Sequence, residues 1–175
     1  GTGSGNYFSI HGKRVVITAA HVVIGEKISP DSISVVERSG EKTSCEVKYV
    51  SALADIAVLG CEEKLKDTKP VRFSTTNRLE VGDKVYHTGH PAEMRYLTTV
   101  GTVSTIYSDM VIIQSLAWMG SSGSAVLDKR GNFVGVVSAV KVGFAAVPQV
   151  IQNIVFIAPA NLIDKKELLE ALENE

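Results

Sequence analysis

The stretch Tyr7-Phe8-Ser9-Ile10-His11-Gly12-Lys13-Arg14-Val15-Val16-Ile17-Thr18 reads as two short strands folded back on each other. Apolar and β-branched residues fill both halves, and Gly12 stands where a tight connection needs positive φ. Working outward, the same texture recurs at Ser32 to Glu37, Cys45 to Val50 and Asp55 to Leu59. It resumes at Lys84 to Thr88, Thr98 to Ile106, Met110 to Gln114, Ser124 to Leu127, Phe133 to Val140 and Ile154 to Ile157, each run bounded by Gly, Asp, Asn or Pro. About a dozen such runs predict an all-β chain. Asp128-Lys129-Arg130-Gly131-Asn132 marks a second hairpin, so the pairing is expected to be antiparallel.

Glu62 to Leu79, with Lys64, Lys66, Asp67, Lys69 and Pro70, reads as a surface connection that splits the strands into two groups of about six. Two six-stranded antiparallel β-barrels are therefore expected, at 1–66 and 80–158, joined by a connection at 67–79. The tail, 159–175, departs from this pattern. Pro159 and an Asn161 cap precede Leu162, Leu168, Leu169 and Leu172 among charges, which predicts an amphipathic helix packing one face on the second lobe. The opening Gly1-Thr2-Gly3-Ser4-Gly5 reads either as a flexible lead or as a glycine-rich edge strand.

A length of 175 residues suits one large domain or two lobes sharing an interface, and excludes three separate domains. With 45% hydrophobic and 21% charged residues, the chain can bury roughly 70% of its unfolded surface, which excludes disorder. Eighteen Lys plus Arg against nineteen Asp plus Glu are scattered along the chain, so no basic stripe points to nucleic acid. Phe144 to Ile163 is interrupted by Pro148, Gln149, Gln152, Asn153 and Pro159, so no membrane-spanning helix is expected. Cys45 and Cys61 are too few for a disulfide scaffold; they could pair, but two free, half-buried thiols and a reducing compartment are the expectation.

Chemistry concentrates at Met119-Gly120-Ser121-Ser122-Gly123-Ser124-Ala125, where a serine among glycines and small residues lets backbone N–H groups converge on one oxyanion. A serine nucleophile needs a base within reach and a carboxylate that sets the base's tautomer. His21 follows a strand ending in Thr18-Ala19-Ala20, and Asp55 opens Ile56-Ala57-Val58-Leu59.

Thr18-Ala19-Ala20-His21-Val22-Val23, Ala54-Asp55-Ile56-Ala57-Val58-Leu59 and Gly120-Ser121-Ser122-Gly123-Ser124-Ala125-Val126 resemble the His, Asp and Ser blocks of trypsin-like (chymotrypsin-fold) serine proteases. The style is closest to the HtrA/DegP-type and viral branches. Val81-Gly82-Asp83-Lys84-Val85, Gly89-His90-Pro91 and Val155-Phe156-Ile157-Ala158-Pro159 fit that branch as well, in the family's order. The resemblance implies a chymotrypsin-like pair of barrels and a serine endopeptidase without cofactor or metal, acting on polypeptide. It implies Ser122 as nucleophile, His21 as general base, Asp55 as its orienting carboxylate, and the N–H groups of Gly120 and Ser122 as oxyanion donors.

Departures from the family pattern carry their own expectations. Ser121 stands where the digestive members carry an aspartate that binds a newly cut amino terminus, so activation by that ion pair is not expected. Ser124-Ala125 replaces the usual Gly-Pro, as in some viral members. PDZ modules and a leading trimerisation segment are not recognised, so a monomer is expected. Six residues before Ser122 lies Leu116, at the position of the family's primary pocket base, where an apolar group would leave a Lys or Arg ammonium unpaired. Ser138-Ala139-Val140 resembles the strand that pairs with substrate, with Val140 where glycine keeps the pocket mouth open. Small or apolar P1 residues follow.

Three other readings bear on these residues. An α/β-hydrolase needs Gly-x-Ser-x-Gly and a histidine last in the chain, and neither is present. A metal site built on His87 and His90 lacks a second ligand pair at zinc spacing. A catalytically inactive binding module on the same fold is the remaining alternative.

Overall fold

In the computed structural model the first hairpin forms as its sequence reads. Strand β1 (Gly5–Ile10) pairs antiparallel with β2 (Lys13–Thr18) from Gly5 opposite Thr18 to Ile10 opposite Lys13. His11 (φ 47°) and Gly12 (φ 78°) are both left-handed, the twist that suits a two-residue connection between right-twisted strands. The structure describes residues 2–24, 33–75, 78–118, 120–144 and 148–173, with side chains at all of these except 93, 140–144 and 148–152.

The expected two six-stranded lobes are present. The first adds β3 (Ser34–Val36), β4 (Lys42–Val50), β5 (Ala57–Cys61) and β6 (Val71–Arg72), in the spatial order β3-β4-β5-β2-β1-β6. The connection between lobes is thus partly a strand: β6 runs parallel to β1, with Phe8 opposite Val71. The connection is also pinned by a buried carboxylate, since Glu37 accepts from the N–H groups of Lys66 (3.3 Å) and Asp67 (3.0 Å) and from Thr68 Oγ1 (3.2 Å). These three donors offset the cost of burying the charge.

The second lobe closes into a barrel in the order β10-β11-β12-β9-β8-β7. Its strands are β7 (Lys84–Gly89), β8 (Leu97–Ile106), β9 (Val111–Gln114), β10 (Ala125–Asp128), β11 (Phe133–Phe144) and β12 (Pro148–Pro159). β11 and β12 are longer than their apolar runs suggest, because Phe144 still pairs with Pro148 at the far end of the hairpin. Val85, Val103, Val126, Val137 and Ile157 fill the barrel. Between the lobes, Phe8, Phe73 and Phe133 pack with ring centroids 5.1 to 6.1 Å apart, so one aromatic cluster ties β1, the connection and β11 together.

The expectation for the cysteines is corrected. Cys45 and Cys61 are not free thiols but a disulfide (S–S 2.02 Å). The register of β4 against β5 sets them directly opposite each other, which two cysteines in a sequence do not announce. The expectation of a reducing compartment loses its basis with that bond.

The C-terminal helix α2 (Lys165–Glu173) forms, but Asp164 rather than Asn161 caps it, accepting from the N–H of Glu167 at 3.0 Å. Asn161 lies in the preceding 3₁₀ turn, Ala160–Leu162. That turn brings α2 to β4 and the interlobe core rather than to the second lobe alone: Leu168 and Leu172 bury beside Tyr49, Ile56, Phe133 and Val136. Tyr49 Oη accepts from the Asp164 N–H at 2.9 Å. Among the described residues no helix is long and apolar enough to cross a membrane.

Candidate active site

His21 sits on α1 (Ala20–Val23), a single helical turn that begins where β2 ends. Two bonds close the turn, Val22 N–H to Ala19 O and Ile24 N–H to Ala20 O. The imidazole is half exposed, with the carboxylate of Asp55 against one face of the site.

Asp55 lies in a tight turn between β4 and β5. Ser51 Oγ organises that turn, accepting from the N–H groups of Leu53 (3.3 Å) and Ala54 (3.1 Å) while donating to Leu162 O (3.2 Å). The segment before the C-terminal helix therefore braces the loop that carries the carboxylate.

The carboxylate meets His21 twice. Oδ1 accepts from the His21 backbone N–H at 2.9 Å, and Oδ2 bonds Nδ1 at 2.5 Å. Ser138 Oγ donates to the same Oδ2 at 2.7 Å. Burial works against the charge on Asp55, but the hydrogen bonds from Ser138 and from His21 outweigh it and hold the pKa below the usual carboxylate value. An ionised carboxylate only accepts, so Nδ1 carries the proton and Nε2 is left as the basic nitrogen.

Ser138 reaches Asp55 from a β-bulge, since the register of β11 against β12 shifts between Val137 and Ala139. A bulge turns one side chain away from the regular alternation, here towards the cleft.

The loop Gly120–Ser124 is fixed peptide by peptide. Ser121 N–H donates to Trp118 O, Gly123 N–H to Val137 O and Ser124 N–H to Ser121 O. Gly120 (φ 99°) and Gly123 (φ 93°) are both left-handed and both tightly enclosed. A Cβ on Gly120 would stand 2.3 Å from His90 O, and one on Gly123 would stand 2.0 Å from Ser4 O. Among the described residues no hydrogen bond uses the N–H of Gly120 or of Ser122, which leaves both groups open to an acceptor. Ser122 Oγ donates to Ser138 O at 3.5 Å, a long contact against the usual range of about 2.5–3.0 Å.

The N-terminal segment crosses this loop. Ser4 N–H donates to Ser122 O (2.8 Å), Ser4 Oγ donates to Gly120 O (2.6 Å) and accepts from the His90 N–H (3.1 Å), and Thr18 Oγ1 donates to Ser4 O (2.7 Å). Residues 3–136 match the family described as Trypsin-like peptidase domain.

The chain belongs to that trypsin-like peptidase family. It is 27% identical over 160 residues to HhoA of Synechocystis sp. (strain ATCC 27184 / PCC 6803 / Kazusa), covering 82% of this chain and 40% of that protein. It is 29% identical over 159 residues to Protease Do-like 5, chloroplastic, of Arabidopsis thaliana, covering 79% of this chain and 48% of that one. Among solved structures it is similar to the HtrA-type protease AlgW with decapeptide, with a TM-score of 0.72 and 25% identity over 98% of this chain and 50% of that one. The chain thus spans about half, or less, of the length of these relatives.

Of the residues singled out in the sequence, His21 and Asp55 are in direct contact, and Ser138 joins them. Ser122 faces Ser138 O from the middle of the loop that Gly120 opens. Leu116 is 54% exposed in the segment leading from β9 into the loop. Val140 pairs with Val155 in the β11–β12 hairpin, and its side chain, like all of Met119, lies outside the described residues.

His87 is buried in the second barrel, bonded to Ser115 Oγ at 2.8 Å, and burial pushes its pKa down to about 4. His90 Nδ1 accepts from the Tyr96 N–H. Among the described residues no group of His, Cys, Asp and Glu is arranged to hold a metal. Two contributors were not legible in the sequence, the hydroxyl of Ser138 on Asp55 and that of Ser4 on the Gly120 carbonyl. The second bond spans 116 positions and has no local signature.

Proposed function

We propose that the chain is a serine endopeptidase domain that hydrolyses polypeptides through an acyl-enzyme. The observation that carries this reading is the pair of hydrogen bonds between His21 and Asp55, because it fixes the imidazole in the tautomer a general base requires. Ser122 Oγ forms a bond to the scissile carbonyl carbon as its proton passes to Nε2 of His21. The oxyanion is held by the N–H groups of Gly120 and Ser122. Collapse breaks the C–N bond, and His21 returns the proton to the leaving amine. Water then repeats the sequence on the acyl-enzyme, with His21 again as base. Asp55 stays ionised throughout and offsets the charge on the imidazolium. No cofactor or metal takes part in this scheme.

Past Val137 the free edge of β11 has no strand partner among the described residues, which supports Ser138 to Val140 as the backbone partner of an extended peptide. Leu116 (54% exposed) and Trp118 (46% exposed) present apolar surface beside the loop, in keeping with a small or apolar P1 side chain.

The alternative, a catalytically inactive binding module, draws on one observation: Ser122 Oγ bonds Ser138 O rather than His21. Turnover of peptides with Ala, Val, Leu or Lys at P1 separates the readings. Hydrolysis after the small or apolar residues, abolished by His21→Ala and by Ser122→Ala in folded protein, supports the endopeptidase. Stoichiometric peptide binding without hydrolysis supports the module.

A further inference from the structure

The N-terminal segment of β1 belongs to the first lobe's sheet, yet its leading residues bond the second lobe's nucleophile loop. Ser4 is the centre of that crossing. Its hydroxyl donates to Gly120 O at 2.6 Å and accepts from the His90 N–H at 3.1 Å, and its backbone N–H donates to Ser122 O at 2.8 Å. Its own carbonyl accepts from Thr18 Oγ1 at 2.7 Å, three residues before His21.

The consequence for the loop follows peptide by peptide. The 120–121 peptide is held at its oxygen by Ser4 Oγ and at its nitrogen by Trp118 O. The 121–122 peptide is held at its oxygen by the N–H and the hydroxyl of Ser124, with the Ser122 N–H as its free end. The 122–123 peptide is held at its oxygen by the Ser4 N–H and at its nitrogen by Val137 O. Ser4 supplies one anchor of the first peptide and one of the last. Gly120 has no side chain to limit its torsions, so the grip on its carbonyl fixes a position that the residue itself leaves free. Packing keeps the grip dry: Ser4 is 4% exposed, and Gly3 passes so close to Val22 that a Cβ there would lie 2.6 Å from its Cγ1.

We infer that Ser4 is a positioning residue of the oxyanion site: by gripping the carbonyls of Gly120 and Ser122 it sets where the N–H groups of those two residues point, and it registers the nucleophile loop against the strand that leads into His21. This rests on the endopeptidase reading above. Ser4 touches no reacting atom, so its loss acts on transition-state stabilisation and not on substrate binding or on the base.

The test is Ser4→Ala, with kcat and KM measured separately on a peptide that the unmodified chain hydrolyses. The expected result is a fall in kcat of about ten- to a hundred-fold, below the loss for a deleted oxyanion donor, with KM changed less than about three-fold. Inhibition by a peptidyl trifluoromethyl ketone, whose oxyanion needs both N–H groups, weakens by the same factor, while the pH profile of kcat/KM keeps its midpoint. If Ser4→Ala does not fold, Ser4→Cys, of similar size but a weaker donor, carries the same comparison with a smaller loss. An unchanged kcat in a folded variant, or a loss confined to KM, overturns the inference. Absence of turnover by the unmodified chain is a different failure, since it refutes the endopeptidase reading first and the inference with it.

Discussion

Ser138 Oγ donates to Asp55 Oδ2 at 2.7 Å, the oxygen that also bonds Nδ1 of His21. One carboxylate oxygen is thereby shared between a strand of the second lobe and a helix turn of the first, so the two lobes meet at the carboxylate bonded to the imidazole. The bulge at Ser138 serves both ends of the site, since its carbonyl faces Ser122 while its hydroxyl faces Asp55.

Removing that hydroxyl takes away one of the bonds that depress the Asp55 pKa. Ser138→Ala is expected to lower kcat/KM about ten-fold, the scale of one charge-assisted hydrogen bond. The variant's carboxylate then has a folded pKa nearer its unfolded value, so it contributes less stability to be lost as pH falls below the usual carboxylate range. Steady-state kinetics and acid unfolding of the two proteins check the two parts.

Asp55→Asn leaves the shape of the site but reverses the hydrogen-bond logic, since an amide nitrogen cannot accept from Nδ1–H. A loss of about 10⁴ in kcat is expected, with the melting temperature within a few degrees of the unmodified protein. Steady-state kinetics alongside calorimetry measures it.

Gly120→Ala meets two obstacles at once, a left-handed φ of 99° and a backbone oxygen, His90 O, 2.3 Å from the new Cβ. The loop has to shift, and the Gly120 N–H with it. The expected cost is about 10²–10³ in kcat and about 1–3 kcal/mol of stability, read from kinetics and urea unfolding.

His87 supplies a pH signature independent of catalysis. Buried beside Ser115, it has a pKa near 4 when folded, against 6.5 as its ordinary value. Between those two values the unfolded chain binds the extra proton and the folded chain does not, so stability falls as pH drops from about 6.5 towards 4. The span is worth roughly 2–4 kcal/mol. Urea unfolding at pH 7.5 and pH 4.5 is expected to show the loss, and His87→Gln is expected to remove most of this difference.

The disulfide closes a 16-residue separation between neighbouring strands. Its reduction, or Cys45→Ala with Cys61→Ala, is expected to cost about 2–4 kcal/mol in unfolding free energy. Denaturation with and without reductant measures it.

What the sequence made legible was local. The turn His11-Gly12 fixed the first hairpin, and the three short blocks around His21, Asp55 and Ser122 pointed to the site because each is a strand end or turn with its own chemistry. What it hid depends on register and on distance along the chain. Cys45 and Cys61 become neighbours only once β4 and β5 are aligned past the bulge between Val47 and Tyr49. Asp164 displaces Asn161 as the helix cap because the 3₁₀ turn at Ala160–Leu162 absorbs the earlier residue, and the docking of Leu168 and Leu172 beside Tyr49 follows from where that turn points. Ser4 reads as linker composition until its hydroxyl is found on a carbonyl more than a hundred residues away. Side chains whose partners lie across the lobes leave no periodic trace.

The reactivity of one hydroxyl bears most directly on the whole scheme. The folded chain is incubated with a fluorophosphonate at pH 8, and the adduct is mapped by peptide mass spectrometry. One phosphonyl group per chain on Ser122, absent from Ser122→Ala and strongly slowed in His21→Ala, is the expected result. An unlabelled Ser122 in natively folded protein, or labelling that His21→Ala leaves untouched, would contradict it.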